Sequence, residues 1–143
     1  MGKTHTTTSF EQTQEFGNAF AEKAQELQVI ALHGDLGSGK TTFVQGLAKG
    51  FGIEKKIISP TFIIMRTYKI DGEGNKKFFY HVDLYRITDQ RDIDGLGLPE
   101  LLEDAQNIIV IEWPEKIEKI LPEKKVDLFF AYVDDEKRRI TVT

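Results

Sequence analysis

The sequence predicts an α/β domain in which a mixed parallel and antiparallel sheet lies between layers of helices. Three observations support this prediction. An apolar strand at 29–33 leads through a glycine-rich turn into an amphipathic helix. Two alternating segments, 62–70 and 77–85, flank a turn, as in a β-hairpin, and residues 107–113 form a buried strand. The length of 143 residues matches a single domain spanning 1–143.

The first predicted element is a helix over about residues 10–26. Ser9 provides the N-cap, and Gln12 occupies the return position of a capping box. Residues at helical spacing mark its buried face: Phe16, Phe20, Ala24 and Leu27. We assign no regular element before Ser9, and the buried strand 29–33 follows the helix.

A second helix follows the glycine-rich turn 34–39. Its buried face consists of Phe43, Val44, Leu47, Ala48 and Phe51. Gly50 or Gly52 can end this helix in the left-handed conformation. Pro60 then restricts Ser59 to an extended backbone, so we expect a stiff connection before the hairpin.

The remaining elements complete the α/β pattern. Short helical pieces in 88–106 are interrupted by Gly95, Gly97 and Pro99. After the strand 107–113, Pro114 begins a short helix. The chain closes with two strands and their connection, at 126–133, 139–142 and 134–138 respectively.

Composition limits the classes of function. The net charge is −4 and the basic residues are scattered, which disfavours tight, direct binding to nucleic acid but leaves binding within a complex open. Without cysteine there is no disulfide and no thiolate metal site. No apolar run approaches the roughly 18 residues of a membrane span. Residues 1–10 lack the apolar core of a signal peptide, so we expect a cytoplasmic protein with no membrane contact.

The stretch HGDLGSGKTTF, residues 33–43, carries the strongest chemical signal. It contains G-x-x-x-x-G-K-T between a strand and a helix, which is the context of a phosphate-binding loop (P-loop). Glycines let backbone N–H groups approach an anion, and the helix N-terminus adds a positive dipole end. Lys40 supplies charge for the β- and γ-phosphates, and the Thr41 hydroxyl can ligate Mg²⁺. We therefore predict a P-loop NTPase-like three-layer fold.

A P-loop enzyme needs an acid on a neighbouring strand, and the sequence offers two candidates. Glu112 ends an apolar strand, and Asp83 shares a strand face with His81 and Tyr85. A salt bridge at the strand end would also explain either carboxylate. Thr61, in the rigid SPTF segment, is placed to contact the γ-phosphate or the metal, or belongs to an ordinary connecting turn.

Several classes of nucleotide-binding protein remain at this point. Asn75 begins N-K-K-F, which lacks the aspartate of the guanine-reading N-K-x-D motif, so a GTPase is disfavoured. A small-molecule kinase needs an acceptor pocket and a lid, for which the chain has little room. A minimal ATPase fits best. The kinase and a nucleotide-gated adaptor that does not hydrolyse ATP remain alternatives.

Four motifs together resemble the TsaE (YjeE) family of bacterial ATPases over nearly the whole chain. They are GDLGSGKTT at 34–42, SPTF at 59–62, HVDLYR at 81–86 and IEW at 111–113. The resemblance implies an accessory ATPase that supports formation of threonylcarbamoyladenosine beside the anticodon of tRNA. It also implies TsaB and TsaD as partners, with tRNA contacted only through their complex.

The resemblance further implies roles for individual residues, with ATP and Mg²⁺ as the bound groups. The phosphates would be held by Gly37, Ser38, Gly39, Lys40, Thr41 and Thr42. Thr41 and Glu112 would bind Mg²⁺. The catalytic group would comprise Lys40, Asp83, which orients or activates water, and Thr61, a switch-like contact. Trp113 would lie beside the site, and Phe10 and Glu136 near the adenine.

Overall fold

The computed structural model describes residues 2–58 and 63–143, which form a seven-stranded sheet with helices on both faces. The strands are β1 (Lys3–Thr7), β2 (Val29–His33), β3 (Met65–Lys69), β4 (Phe78–Asp83), β5 (Asn107–Glu112), β6 (Lys125–Tyr132) and β7 (Arg138–Val142). The helices are α1 (Phe10–Ala24), α2 (Lys40–Gly50), α3 (Gln90–Asp94), α4 (Leu98–Leu102) and a 3₁₀ helix (Pro114–Ile120). The predicted three-layer α/β fold is confirmed.

The strand order is β1-β7-β6-β2-β5-β4-β3. Strand β2 pairs in parallel with β5 and β6, and β5 pairs in parallel with β4. The outer pairs, β3 with β4, β6 with β7 and β1 with β7, are antiparallel. The C-terminal ends of β2, β4 and β5 therefore lie at the same end of the sheet as the start of β7, and α/β proteins bind ligands at this end.

The two faces of the sheet bury separate apolar clusters. Every residue of 29–32 in β2 is 0% exposed, as expected for a central parallel strand covered on both sides. Ile30 and Leu32 face α1 and α2, whereas Val29 and Ala31 face α3, α4 and the 3₁₀ helix. Among the described residues, no helix has both the length and the apolar character to cross a membrane.

The first helix begins as predicted, with one change at its cap. The Gln12 N–H donates to Ser9 Oγ at 3.1 Å, which confirms the N-cap. The Gln12 side-chain oxygen, however, accepts from the Thr8 N–H at 2.7 Å and not from Ser9, so the predicted return bond is displaced by one residue. The helix ends at Ala24, two residues before the predicted boundary.

Other elements differ from the predictions at their ends. Strand β1 was missed because KTHTT is polar and mostly exposed; it pairs only with β7 at the edge of the sheet. Strand β3 begins at Met65, after a turn in which Ile64 has a φ of 71°. The predicted helix after Pro114 is a 3₁₀ helix. The stiff connection predicted around Ser59 and Pro60 lies outside the described residues.

Two glycines let α1 and α2 pack with their backbones in contact. A Cβ on Gly46 would lie 1.9 Å from the Gln14 carbonyl oxygen, and one on Gly17 would lie 2.3 Å from that of Phe43. A real Cβ atom does not come this close to another atom. The two helices can therefore pack at this distance only because both positions are glycine. This contact fixes α2, which carries the P-loop at its N-terminus.

We predict that Gly46→Ala lowers the free energy of unfolding by about 1–3 kcal/mol, because the methyl group forces α1 away from α2. Helix propensity alone would favour alanine, so the sign separates packing from propensity. Urea titration provides the measurement. Gly95→Ala is the control, since its Cβ would make only ordinary contacts, with the Arg91 and Asp92 carbonyl oxygens at 3.5 and 3.8 Å. Equal stability of Gly46→Ala and wild type would contradict the packing argument.

Candidate functional site

The loop between β2 and α2 has the geometry of an anion-binding turn. Gly34, Gly37 and Gly39 have φ values of 145°, 78° and 102°, which residues with a Cβ rarely adopt. The Phe43 N–H donates to the Gly39 carbonyl at 3.0 Å and begins the helical ladder. Because Gly39 has no side chain to cap α2, the first N–H groups of the helix are left to bind a ligand.

Lys40 is a buried cation inside this turn, 4% exposed. Its Nζ donates to the Gly34 carbonyl at 2.6 Å and lies 3.9 Å from Glu112 Oε1. It also lies 4.4 Å from the ring centroid of Trp113. Burial lowers the pKa of Lys40 below its usual 10.5, while the carboxylates of Glu112 and Asp83 oppose that shift. An added anion at this point would favour the charged ammonium.

Strand pairing brings the two candidate acids together. Glu112 lies opposite both Leu32 of β2 and Asp83 of β4. Glu112 and Asp83 are the last residues of β5 and β4, respectively. Both acids are buried, at 4% and 5% exposed. His81 Nε2 lies 2.7 Å from Glu112 Oε2, and its side chain is fully buried. Asp83 Oδ1 accepts from the Tyr85 N–H at 2.9 Å, which orients that carboxylate.

A cavity of about 270 Å³ joins the loop to these acids. It is lined by Phe10, Leu36, Gly37, Gly39, Lys40, Thr41, Thr42, Asp83, Glu112 and Arg138. A larger groove of about 540 Å³ lies at the far end of α2, but it lacks this combination of glycine loop, lysine and paired acids. We therefore assign the site by its chemistry and not by its volume.

The residues present fit a magnesium ion held together with phosphate. In the part of the chain that the structure describes, no three His, Cys, Asp or Glu side chains form a metal cage. Mg²⁺ at phosphate sites needs no such cage, because one or two carboxylates, substrate oxygens and water complete its shell. Thr41, Asp83 and Glu112 line the same cavity and supply oxygen donors of this kind.

The other predicted site residues lie at different distances from this cavity. Phe10 lines it and is 46% exposed, and Trp113 borders it through Lys40. Ser38 is buried in the loop. Glu136 lies in the exposed β6–β7 connection and lines a neighbouring depression, not this cavity. Thr61 lies outside the described residues.

Trp113 leaves β5 with a φ of 61°, a conformation that is uncommon for a residue with a side chain. This turn ends the strand at Glu112 and directs the indole towards the site. The indole ring centroid lies 5.0 Å from that of Tyr85 as well as near Lys40. Trp113 therefore packs against Lys40 at the border of the site without lining the cavity itself.

Sequence reasoning missed Arg138, which the structure places in the cavity wall. The residue lies in the charged run 134–139, which suggests a solvated turn. Its alternation with Ile140, which is fully buried, was the available signal, because both side chains then face the core.

The chain matches a family of known proteins over almost its full length. The family model described as "Threonylcarbamoyl adenosine biosynthesis protein TsaE" matches residues 7–140. The "tRNA threonylcarbamoyladenosine biosynthesis protein TsaE" of Rickettsia bellii is 39% identical over 136 residues, covering 94% of this chain and 90% of that protein. The Bacillus subtilis protein with the same name is 37% identical over 137 residues, covering 96% of this chain and 82% of that protein.

The fold also matches a solved structure. The crystal structure of Bacillus subtilis YdiB aligns with a TM-score of 0.77 at 32% sequence identity. The alignment covers 99% of this chain and 84% of that chain. The arrangement of strands and helices described above is therefore shared over essentially the entire sequence.

We predict that His81→Leu lowers the free energy of unfolding by about 3 kcal/mol, because the Glu112 carboxylate loses a buried partner. The double variant His81→Leu/Glu112→Leu should be destabilised by less than the sum of the two single variants. Denaturant unfolding of all four proteins gives the coupling energy. Effects that add to within about 0.3 kcal/mol would show that the pair is not coupled.

Proposed function

Because this chain belongs to the TsaE family, we propose that it is a Mg²⁺-dependent ATPase that serves threonylcarbamoyladenosine formation in tRNA. One observation carries the ATPase proposal: a single cavity brings the glycine loop, Lys40, Thr41 and two buried acids together. The tRNA context comes from the names of the relatives. Phosphate and metal chemistry alone would fit many nucleotide enzymes.

The loop would bind the phosphates mainly through backbone N–H groups. The backbone of 37–42 surrounds the N-terminus of α2, where the helix dipole favours an anion. Lys40 would add a positive charge beside the terminal phosphates. A triphosphate would oppose the effect of burial on the Lys40 pKa, because it places negative charge next to the ammonium.

The two acids would divide the remaining work. A bound Mg²⁺, held by Thr41 and Glu112, would neutralise charge that develops on the phosphates. His81 holds Glu112 in one orientation through the 2.7 Å contact between Nε2 and Oε2. Asp83 would orient or activate the attacking water, since its carboxylate lines the same cavity and is oriented by the Tyr85 N–H. Thr61 remains our candidate for a switch-like contact.

We propose slow hydrolysis by the chain alone and faster hydrolysis with partners. Arg138 is the single arginine among the described residues that line the cavity, and it lies across the loop from the acids. An arginine that reaches the γ-phosphate in addition to Lys40 would therefore have to come from a partner, and TsaB and TsaD are the proposed partners. The net charge of −4 suits a factor that meets tRNA only through that complex.

The proposal predicts phosphate release from Mg-ATP that rises at least several-fold when TsaB and TsaD are added at saturation. A partner that completes the site supplies charge stabilisation absent from the isolated chain. Lys40→Ala provides the blank. Equal rates with and without partners would contradict partner completion.

Two other results of the same assay would point to different functions. Labelled γ-phosphate recovered in an organic product would identify a kinase. ATP-dependent partner binding without phosphate release would identify an adaptor.

A second prediction separates the acids. Asp83→Asn should reduce turnover by about tenfold or more and leave ATP affinity within about twofold, because a general base contributes mainly to the chemical step. Glu112→Gln should instead raise the Mg²⁺ concentration needed for half-maximal rate. Turnover and Mg²⁺ titrations on both variants provide the test. Loss of ATP binding in Asp83→Asn would make Asp83 a structural residue.

A further inference from the structure

Arg138 is a buried cation on the opposite side of the P-loop from the acids. It is 5% exposed and begins β7, where it pairs with Thr7 of β1 and Tyr132 of β6. Its side chain crosses to the start of α2, since a Cβ on Gly39 would lie 3.1 Å from Arg138 Cγ and 3.2 Å from its Nε. A nucleotide that enters the loop would therefore meet this side chain.

The guanidinium group has bonding capacity that the protein leaves unused. Its Nη1 donates to the carbonyls of Asp134 and Lys137 at 2.6 and 2.9 Å. Its Nε is buried and has no hydrogen-bond partner among the described residues. No carboxylate in that part of the chain lies within 4.0 Å of its nitrogens. Burying a charge without an opposite charge nearby costs free energy, and an anionic ligand would offset that cost.

The surroundings of Arg138 define the chemistry of that ligand. The rings of Tyr132 and Phe10 lie 4.9 and 5.9 Å from its Cζ. These rings occupy positions around the guanidinium where a flat base would otherwise stack. The buried donor without a partner among the described residues is Nε–H, beside Gly39, and a charged N–H donor in a dry site is matched by an anionic oxygen.

The strand order identifies which phosphate this would be. Asp83 and Glu112 lie on β4 and β5, on one side of β2, whereas β6 and β7 lie on the other. The acids would hold the metal and the terminal phosphates, so the polyphosphate runs away from them across the loop. The α-phosphate, which is joined to the ribose, would then lie on the same side of the loop as Arg138.

We propose that Arg138 binds the α-phosphate of the nucleotide, an inference that rests on the proposed ATP site. Through Nη1 the same side chain holds the β6–β7 connection, which contains Glu136. Arg138 is thus a binding residue that joins the phosphate loop to the connection beside it. Its role differs from that of Lys40, because the contribution of Arg138 to affinity should be the same whether or not the nucleotide carries a γ-phosphate.

The test measures affinity along the series ATP, ADP, AMP and adenosine. Arg138→Gln should weaken the three phosphorylated ligands by a similar factor of about tenfold or more and leave adenosine unchanged. Arg138→Lys, which retains the charge, should lose less. Arg139→Gln is the matched control, since Arg139 is exposed on the opposite face of β7. The ligand-free unfolding midpoint of Arg138→Gln should equal or exceed that of wild type.

Each other result would overturn the inference in a recognisable way. Loss of affinity for ATP alone would place Arg138 at the γ-phosphate, and loss for ATP and ADP but not AMP would place it at the β-phosphate. Unchanged affinities would remove it from the site. A lower unfolding midpoint in both Arg138 variants would make the residue structural. A wild-type protein that bound no nucleotide would refute the proposed function itself.

Discussion

The parallel pairing of β5 between β2 and β4 is the constraint on which the site depends. In this register the ends of the strands coincide, so Glu112 lies beside Asp83 and next to the strand that feeds the P-loop. Slipping β5 by one residue would turn Glu112 to the opposite face and separate it from Lys40 and His81. The contact between α1 and α2, made possible by Gly46, then holds the loop against these strand ends.

The site concentrates charges that the fold does not fully neutralise. Lys40 lies 3.9 Å from Glu112, and burial still lowers its pKa. Arg138 is bonded only to carbonyl oxygens among the described residues, and its Nε has no partner. Two cations on either side of one glycine loop, with an acid pair at one end, are complementary to a polyphosphate with a metal. Buried charges of this kind, perturbed by desolvation and lining one cavity, are typical of functional sites.

Local sequence signals predicted the central part of the molecule well. Continuous apolar runs identified β2 and β5, and the glycine spacing identified the loop, because in these places local chemistry and tertiary packing agree. Strand β1 could not be predicted, since its polar residues are stabilised only by pairing with β7, which is distant in sequence. Arg138 was missed for a related reason: its burial depends on Phe10 and Gly39, which are distant in sequence.

Nucleotide binding at this cavity can be tested directly through the fluorescence of Trp113, the only tryptophan in the chain. Its ring lies 4.4 Å from Lys40 Nζ, so phosphates that bind Lys40 must alter its surroundings. We expect a saturable change in emission on addition of Mg-ATP, and none in Lys40→Ala at the same concentrations. Binding of Mg-ATP by equilibrium dialysis without any change in Trp113 emission would show that the nucleotide binds elsewhere.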